Sequence, residues 1–111
     1  MNYEEPIHRI IGGIVHSPAF ADKLPQQREF YNLTPPEYWE LLHAHASAFR
    51  MWKVTYMHTL PSQEAVMDWY RGTGMRPYLQ ALDDAGRKKF EAEVFAQVRE
   101  EYPTQSDGSI I

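Results

Sequence analysis

The sequence predicts an α+β chain that is mainly α-helical: about four helices, one clear strand near 49–58, and a truncated strand at the C-terminus. Three observations carry this. Apolar residues recur at spacings of three and four in several segments, those segments open on capping residues or prolines, and one stretch alone alternates with a period of two. With 111 residues the chain fits one small domain with a modest core.

Ile7, Ile10, Ile11, Ile14 and Val15 form one helical stripe running from Pro6 to about Ser17-Pro18. Gly12 and Gly13 interrupt it at about 1 kcal/mol each against alanine, so this helix calls for a packing partner, and the glycines admit close approach of another backbone. Residues 18–33 read as irregular, punctuated by Pro18 and Pro25. A second helix starts at Thr34-Pro35-Pro36-Glu37, where Thr34 caps, Pro35 takes the first helical position and Glu37 completes a capping box; its apolar face is Tyr38, Leu41 and Leu42. From Phe49 to His58 the period drops to two, with Trp52, Val54 and Tyr56 on one face and Met51, Lys53, Thr55 and Met57 on the other. Ser62 caps a third helix that carries Val66, Met67, Trp69 and Tyr70 up to Gly72, with Trp69 on the buried stripe of Val66. Met75 to Leu82 reads as a short helical piece. Asp83 caps the long final helix, whose stripe of Phe90, Val94, Val98 and Tyr102 ends at Pro103. Asp107-Gly108 marks a turn, and Ser109-Ile110-Ile111 reads as the start of a strand that has been cut off.

A lone strand cannot satisfy its own backbone hydrogen bonds. The chain therefore reads as a piece, pairing through 49–58 with a second copy or with strands of a larger protein. A net charge of −4 argues against nucleic-acid or anionic-membrane partners. The absence of cysteine removes disulfides, thiol catalysis and thiolate metal sites. There is no run of about 18 apolar residues, and Met1-Asn2-Tyr3-Glu4-Glu5-Pro6 does not resemble an export signal, so a soluble cytoplasmic protein is expected. His43 and His45 lie at a helix end, where positions two apart face different sides, and no metal site is expected. No nucleophile motif appears, and no catalytic residue is assigned.

The stretch Asp68-Trp69-Tyr70-Arg71-Gly72-Thr73-Gly74-Met75-Arg76-Pro77-Tyr78-Leu79 is the candidate site: an aromatic-rich helix enters a glycine turn and restarts at a proline. Together with Met51-Trp52-Lys53-Val54-Thr55-Tyr56-Met57-His58-Thr59-Leu60-Pro61-Ser62 upstream, it resembles the trans-aconitate methyltransferases in both order and spacing. Phe90, Glu101-Tyr102-Pro103 and Asp107-Gly108 are similar to that family's lead into its last strand. Asn2-Tyr3-Glu4-Glu5-Pro6-Ile7-His8 is similar to the segment after its fifth strand, and Tyr38-Trp39 to the helix before its sixth. The likeness covers nearly the whole chain and is strongest from 51 to 82.

The resemblance implies an S-adenosylmethionine-dependent enzyme that converts a carboxylate of trans-aconitate to a monomethyl ester. That family's cofactor site is a glycine-rich loop after the first strand and an acidic residue ending the second. Gly12-Gly13 lie within an apolar stripe and Gly72-Thr73-Gly74 follow a helix, so neither matches it. The chain thus resembles the C-terminal, substrate-covering part of such an enzyme. It would be a single partial domain over 1–111 with no cofactor-binding residues, S-adenosylmethionine being implied for the complete enzyme only. It is expected not to catalyse alone, and to work as a homodimer or with a cofactor domain. The alternative is a stand-alone dimerisation or binding module that kept the same fold.

A small tricarboxylate substrate calls for charge-assisted donors, and Arg76 is the first candidate because its fork matches a carboxylate. The turn's amides at the start of the short helix are candidate anion donors beside it. Against this stands the simpler reading, in which Gly72 closes the third helix and Arg76 lies on the surface. Arg71, in the last helical turn, reads as structural. Tyr70 and Tyr78 are expected to present hydroxyls to substrate, whereas Trp69 is expected to pack. The resemblance sets Tyr56 and His58 near the substrate mouth, although a lone histidine more often has no ligand.

Overall fold

Each helix predicted from capping and periodicity forms where the local signals start it. The computed structural model describes residues 4–24 and 31–111; the readings made at residues 1–3 and at Pro25 lie outside them. Among the described residues the order is α1 (Pro6–Val15), α2 (Pro35–His45), α3 (Gln63–Arg71), α4 (Arg76–Ala81) and α5 (Asp84–Glu101). Ser62 Oγ accepts from the Ala65 amide at 3.2 Å and Asp83 Oδ1 from the Gly86 amide at 2.7 Å, satisfying first-turn donors that a helix leaves unpaired. Glu37 reaches back to the amide and hydroxyl of Thr34, both at 2.7 Å, and these bonds hold its carboxyl below the usual range.

The core forms where α1 and α3 pack on α5 and α4 packs on α3. The isoleucines of α1, with Val66, Met67, Met75, Phe90, Val94 and Val98, are buried in one cluster. Gly12 is buried in it, whereas Gly13 is exposed with nothing within 4 Å. Phe20, in the turns after α1, meets Phe90 edge to face at 5.4 Å. Gln63 Nε2 donates to the carbonyls of Arg99 and Tyr102, tying the start of α3 to the end of α5. No helix among the described residues is long and apolar enough to cross a membrane.

The α+β expectation is overturned: among the described residues there is no strand, and the architecture is helical. Residues 49–58 alternate as a strand would, yet they run largely exposed and irregular, because among the described residues no second backbone pairs with theirs. The cut-off strand at the C-terminus is also absent. Ile110 instead exchanges two backbone bonds of 2.8 Å with Leu60 in an isolated antiparallel bridge, and its side chain joins the core. The apolar face expected of α2 finds no core either, for α2 buries none of its residues. The radius of gyration, 17.4 Å, accordingly exceeds the ~13 Å of a compact domain of this length.

Candidate functional site

At the end of α3 the Arg71 guanidinium donates to Glu91 at 2.6 Å and also to Asp68. The Glu91 bond is the largest of several contacts that favour its charged form, so Arg71 is a structural tie between α3 and α5. The turn that follows consumes its own donors. The Thr73 and Met75 amides go to the Tyr70 carbonyl at 3.2 and 2.9 Å, and the Arg76 amide goes to Thr73 at 3.3 Å. These amides are therefore not offered to an anion, contrary to the sequence expectation. Gly72, at φ −78°, has ordinary helical backbone and no left-handed cap. Gly74 has a different reason to be glycine, since a Cβ there would meet Tyr70 Cδ1 at 3.2 Å.

Arg76 opens α4, exposed, and makes no ion pair or side-chain hydrogen bond among the described residues. Tyr78, two positions on, faces the other way. It was expected to present its hydroxyl, but it is 3 % exposed with its ring 6.1 Å from Phe90, because the short helix needs one bulky anchor to seat it on the core. Tyr70 is half-buried, its ring edge-on to His8 at 5.6 Å, and burial followed by the nearby Glu5 charge pushes its hydroxyl above the ordinary range.

Close to Tyr70, the Tyr102 hydroxyl accepts the Ile7 amide and donates to Glu5 Oε2, each at 3.2 Å. Burial, more than the Glu5 charge, keeps this hydroxyl protonated far into the alkaline range. Glu5, His8, Tyr70 and Tyr102 thus gather at the first turn of α1. Sequence reasoning singles out only Tyr70 of the four and groups none of them, since no local spacing connects positions 97 apart.

On the outer side of α3, His58 stacks edge-on to Trp69 at 5.2 Å and lies 6.3 Å from the Tyr56 ring. Trp69, expected to be buried, is 48 % exposed, because α3 turns Val66 and Met67 inward and its next positions outward. The structure therefore brings Tyr56 and His58 together with Trp69, sets Tyr70 and Arg76 on either side of the glycine turn, and withdraws Tyr78 into the core.

A depression of about 210 Å³ between α3 and α5 is lined by Glu64, Met67, Arg71, Glu91, Ala92 and Phe95. Its arginine is already paired and its other charges are carboxylates, so it does not suit a tricarboxylate. Among the described residues no group of three or more His, Asp and Glu side chains could hold a metal ion. Nor do they fit S-adenosylmethionine: among the described residues no strand leads into a glycine loop, and the Thr73, Met75 and Arg76 amides after α3 are engaged.

No family model matches the chain. Trans-aconitate 2-methyltransferase of Streptomyces avermitilis is 35 % identical over 111 residues, covering 98 % of this chain and 41 % of the relative. The proteins of the same name from Klebsiella pneumoniae and Streptomyces coelicolor are 32 % and 38 % identical, covering 99 % and 97 % of the chain and 42 % and 37 % of themselves. The chain spans about two fifths of the length of the curated relatives it matches. Over nearly its whole length it is therefore similar to one part of the trans-aconitate 2-methyltransferases.

Proposed function

We propose that these residues form the substrate-covering part of an enzyme that transfers a methyl group from S-adenosylmethionine to a carboxylate of trans-aconitate, in the cytoplasm. The observation that carries the reading is the match, at 32–38 % identity over 97–99 % of the chain, to proteins named for that reaction. Because those relatives are methyltransferases, a stand-alone binding module is not favoured.

Within this reading Arg76, exposed and without an ion pair or side-chain hydrogen bond among the described residues, grips one substrate carboxylate with two parallel hydrogen bonds. His58, held by the Trp69 and Tyr56 rings, donates to a second carboxylate. The Tyr70 hydroxyl, whose proton is held more tightly than usual, stays a donor. Tyr78 does not meet the ligand; it seats the helix that carries Arg76. A carboxylate is already ionised at neutral pH, so it needs no general base, only an oxygen aimed and kept from water. The residues present do not fit the cofactor, and no step through it is assigned to them.

Co-producing the 111-residue chain with the part of the S. avermitilis relative outside the matched segment, and following methyl transfer to trans-aconitate, tests the proposal. Ester formation that requires both parts supports it. A complex that methylates other acids and leaves trans-aconitate untouched overturns it.

A further inference from the structure

The Tyr70 ring is held on two sides. His8 meets it edge-on at 5.6 Å, and at Gly74 a Cβ would stand 3.2 Å from Tyr70 Cδ1, so the ring lies against the bare backbone of the turn. Its main chain is fixed as well, because the turn folds back on the Tyr70 carbonyl, which accepts the Thr73 amide at 3.2 Å and the Met75 amide at 2.9 Å. The half-buried hydroxyl, by contrast, makes no hydrogen bond among the described residues. A donor so placed is available to a ligand.

The His8 side of this arrangement rests on firm ground. His8 stands between two residues tied to α5: Ile7, fully buried, gives its amide to the Tyr102 hydroxyl at 3.2 Å, and Arg9 pairs with Glu101 at 2.6 Å. The wall is therefore anchored on a different helix from the ring it supports. A tyrosine free to swing loses its rotamer freedom when a ligand takes its hydroxyl, and a wall already in place removes most of that loss beforehand. For one side chain the difference amounts to about 2- to 10-fold in affinity.

We propose that His8 is a positioning residue for Tyr70: its ring and the bare face of Gly74 clamp the phenol between them, so that the hydroxyl meets a substrate carboxylate already aimed. The inference rests on the proposed methyl-transfer reading. His8 acts through Tyr70 and does not itself touch substrate; what it supplies is an edge-on ring on a fixed backbone.

The test is a double-mutant cycle in the 111-residue chain co-produced with the remaining part of the S. avermitilis relative, reading KM and kcat for trans-aconitate. His8→Ala should raise KM about 2- to 10-fold with kcat unchanged. His8→Phe, which restores an edge-on ring, should return KM to the parent value. In a Tyr70→Phe background H8A should add nothing, since no hydroxyl is left to aim. If thermal unfolding shows that H8A does not fold, His8→Leu, which fills the space without an aromatic edge, takes its place. On the chain alone, alkaline absorbance titration reads the clamp directly: H8A opens the phenol to water and Tyr70 should ionise earlier. Parent-like KM in H8A, an H8A effect that persists in Y70F, an H8F variant as impaired as H8A, or a titration that H8A leaves unmoved each overturns the role. A parent complex that leaves trans-aconitate untouched removes the methyl-transfer reading and the role with it, whereas an active parent with an additive cycle removes the role alone.

Discussion

The Tyr102 hydroxyl donates to the Glu5 carboxylate at 3.2 Å, joining positions 97 apart. The same oxygen accepts the Ile7 amide, one of the first-turn donors of α1. One side chain at the end of α5 thus satisfies a first-turn donor of α1 and ties that turn to α5.

Replacing Tyr102 with Phe should therefore leave the Ile7 amide without its partner and cost about 1–2 kcal/mol, measured by urea unfolding. An alkaline series gives a second reading. Tyr70 and Tyr102 both hold their protons more tightly folded than unfolded, so their contribution is complete below about pH 10 and declines as the pH rises above it. The Y102F variant should lose less stability over that rise than the parent.

Two glycine substitutions should separate in sign. Gly72→Ala meets nothing within 4 Å on ordinary backbone, so reduced freedom of the unfolded chain should stabilise by about 0.5 kcal/mol. Gly74→Ala presses on the Tyr70 ring at 3.2 Å, with Ile11 behind at 3.9 Å and His8 on the ring's edge, and should cost about 1 kcal/mol. Denaturant midpoints moving in the same direction for both would contradict this account of the turn.

Removing the Asp83 cap by D83A should cost about 1 kcal/mol, whereas D83N, which keeps an acceptor for the Gly86 amide, should sit within a few tenths of the parent. Equal losses in thermal scans would mean that the cap bond is not what starts α5.

The two arginines flanking the turn should part company. Arg71→Ala breaks the ties to Glu91 and Asp68 and should lower stability by about 0.5–1 kcal/mol, the exposed pairs being screened by solvent. Arg76→Ala should leave the unfolding midpoint where it is and reduce methylation of trans-aconitate by the co-produced complex about 10- to 100-fold, the loss of a charge-assisted bond. Undiminished kcat/KM for R76A would remove Arg76 from the site.

Calorimetry with S-adenosylmethionine should give no binding to the 111-residue chain by itself. A dissociation constant below about 100 μM would mean that the cofactor finds a site in residues read as lacking one.

Local signals were legible and distant ones were not. Pro6, the Thr34–Glu37 box, Ser62 and Asp83 start helices in the structure as the sequence predicts, because each acts locally: Pro6 presets the first helical φ, Glu37 reaches back to Thr34, and Ser62 and Asp83 accept amides three residues on. Trp69 stays 48 % exposed and Tyr78 is buried because period alone says which residues share a face, not which face the core takes. Met67 claimed the inner side of α3, and Phe90 received Tyr78 from α4.

By itself the amino-acid sequence determined the helices and their caps, the stripe of α5, and the likeness to a methyltransferase part, since these rest on residue type and short spacing. Tertiary structure decided the rest. It left 49–58 irregular despite a period of two, since a ladder needs a second backbone at hydrogen-bonding distance and none among the described residues pairs with it. It also assembled Glu5, His8, Tyr70 and Tyr102 at one helix end, a grouping that exists only because α1 packs on α5.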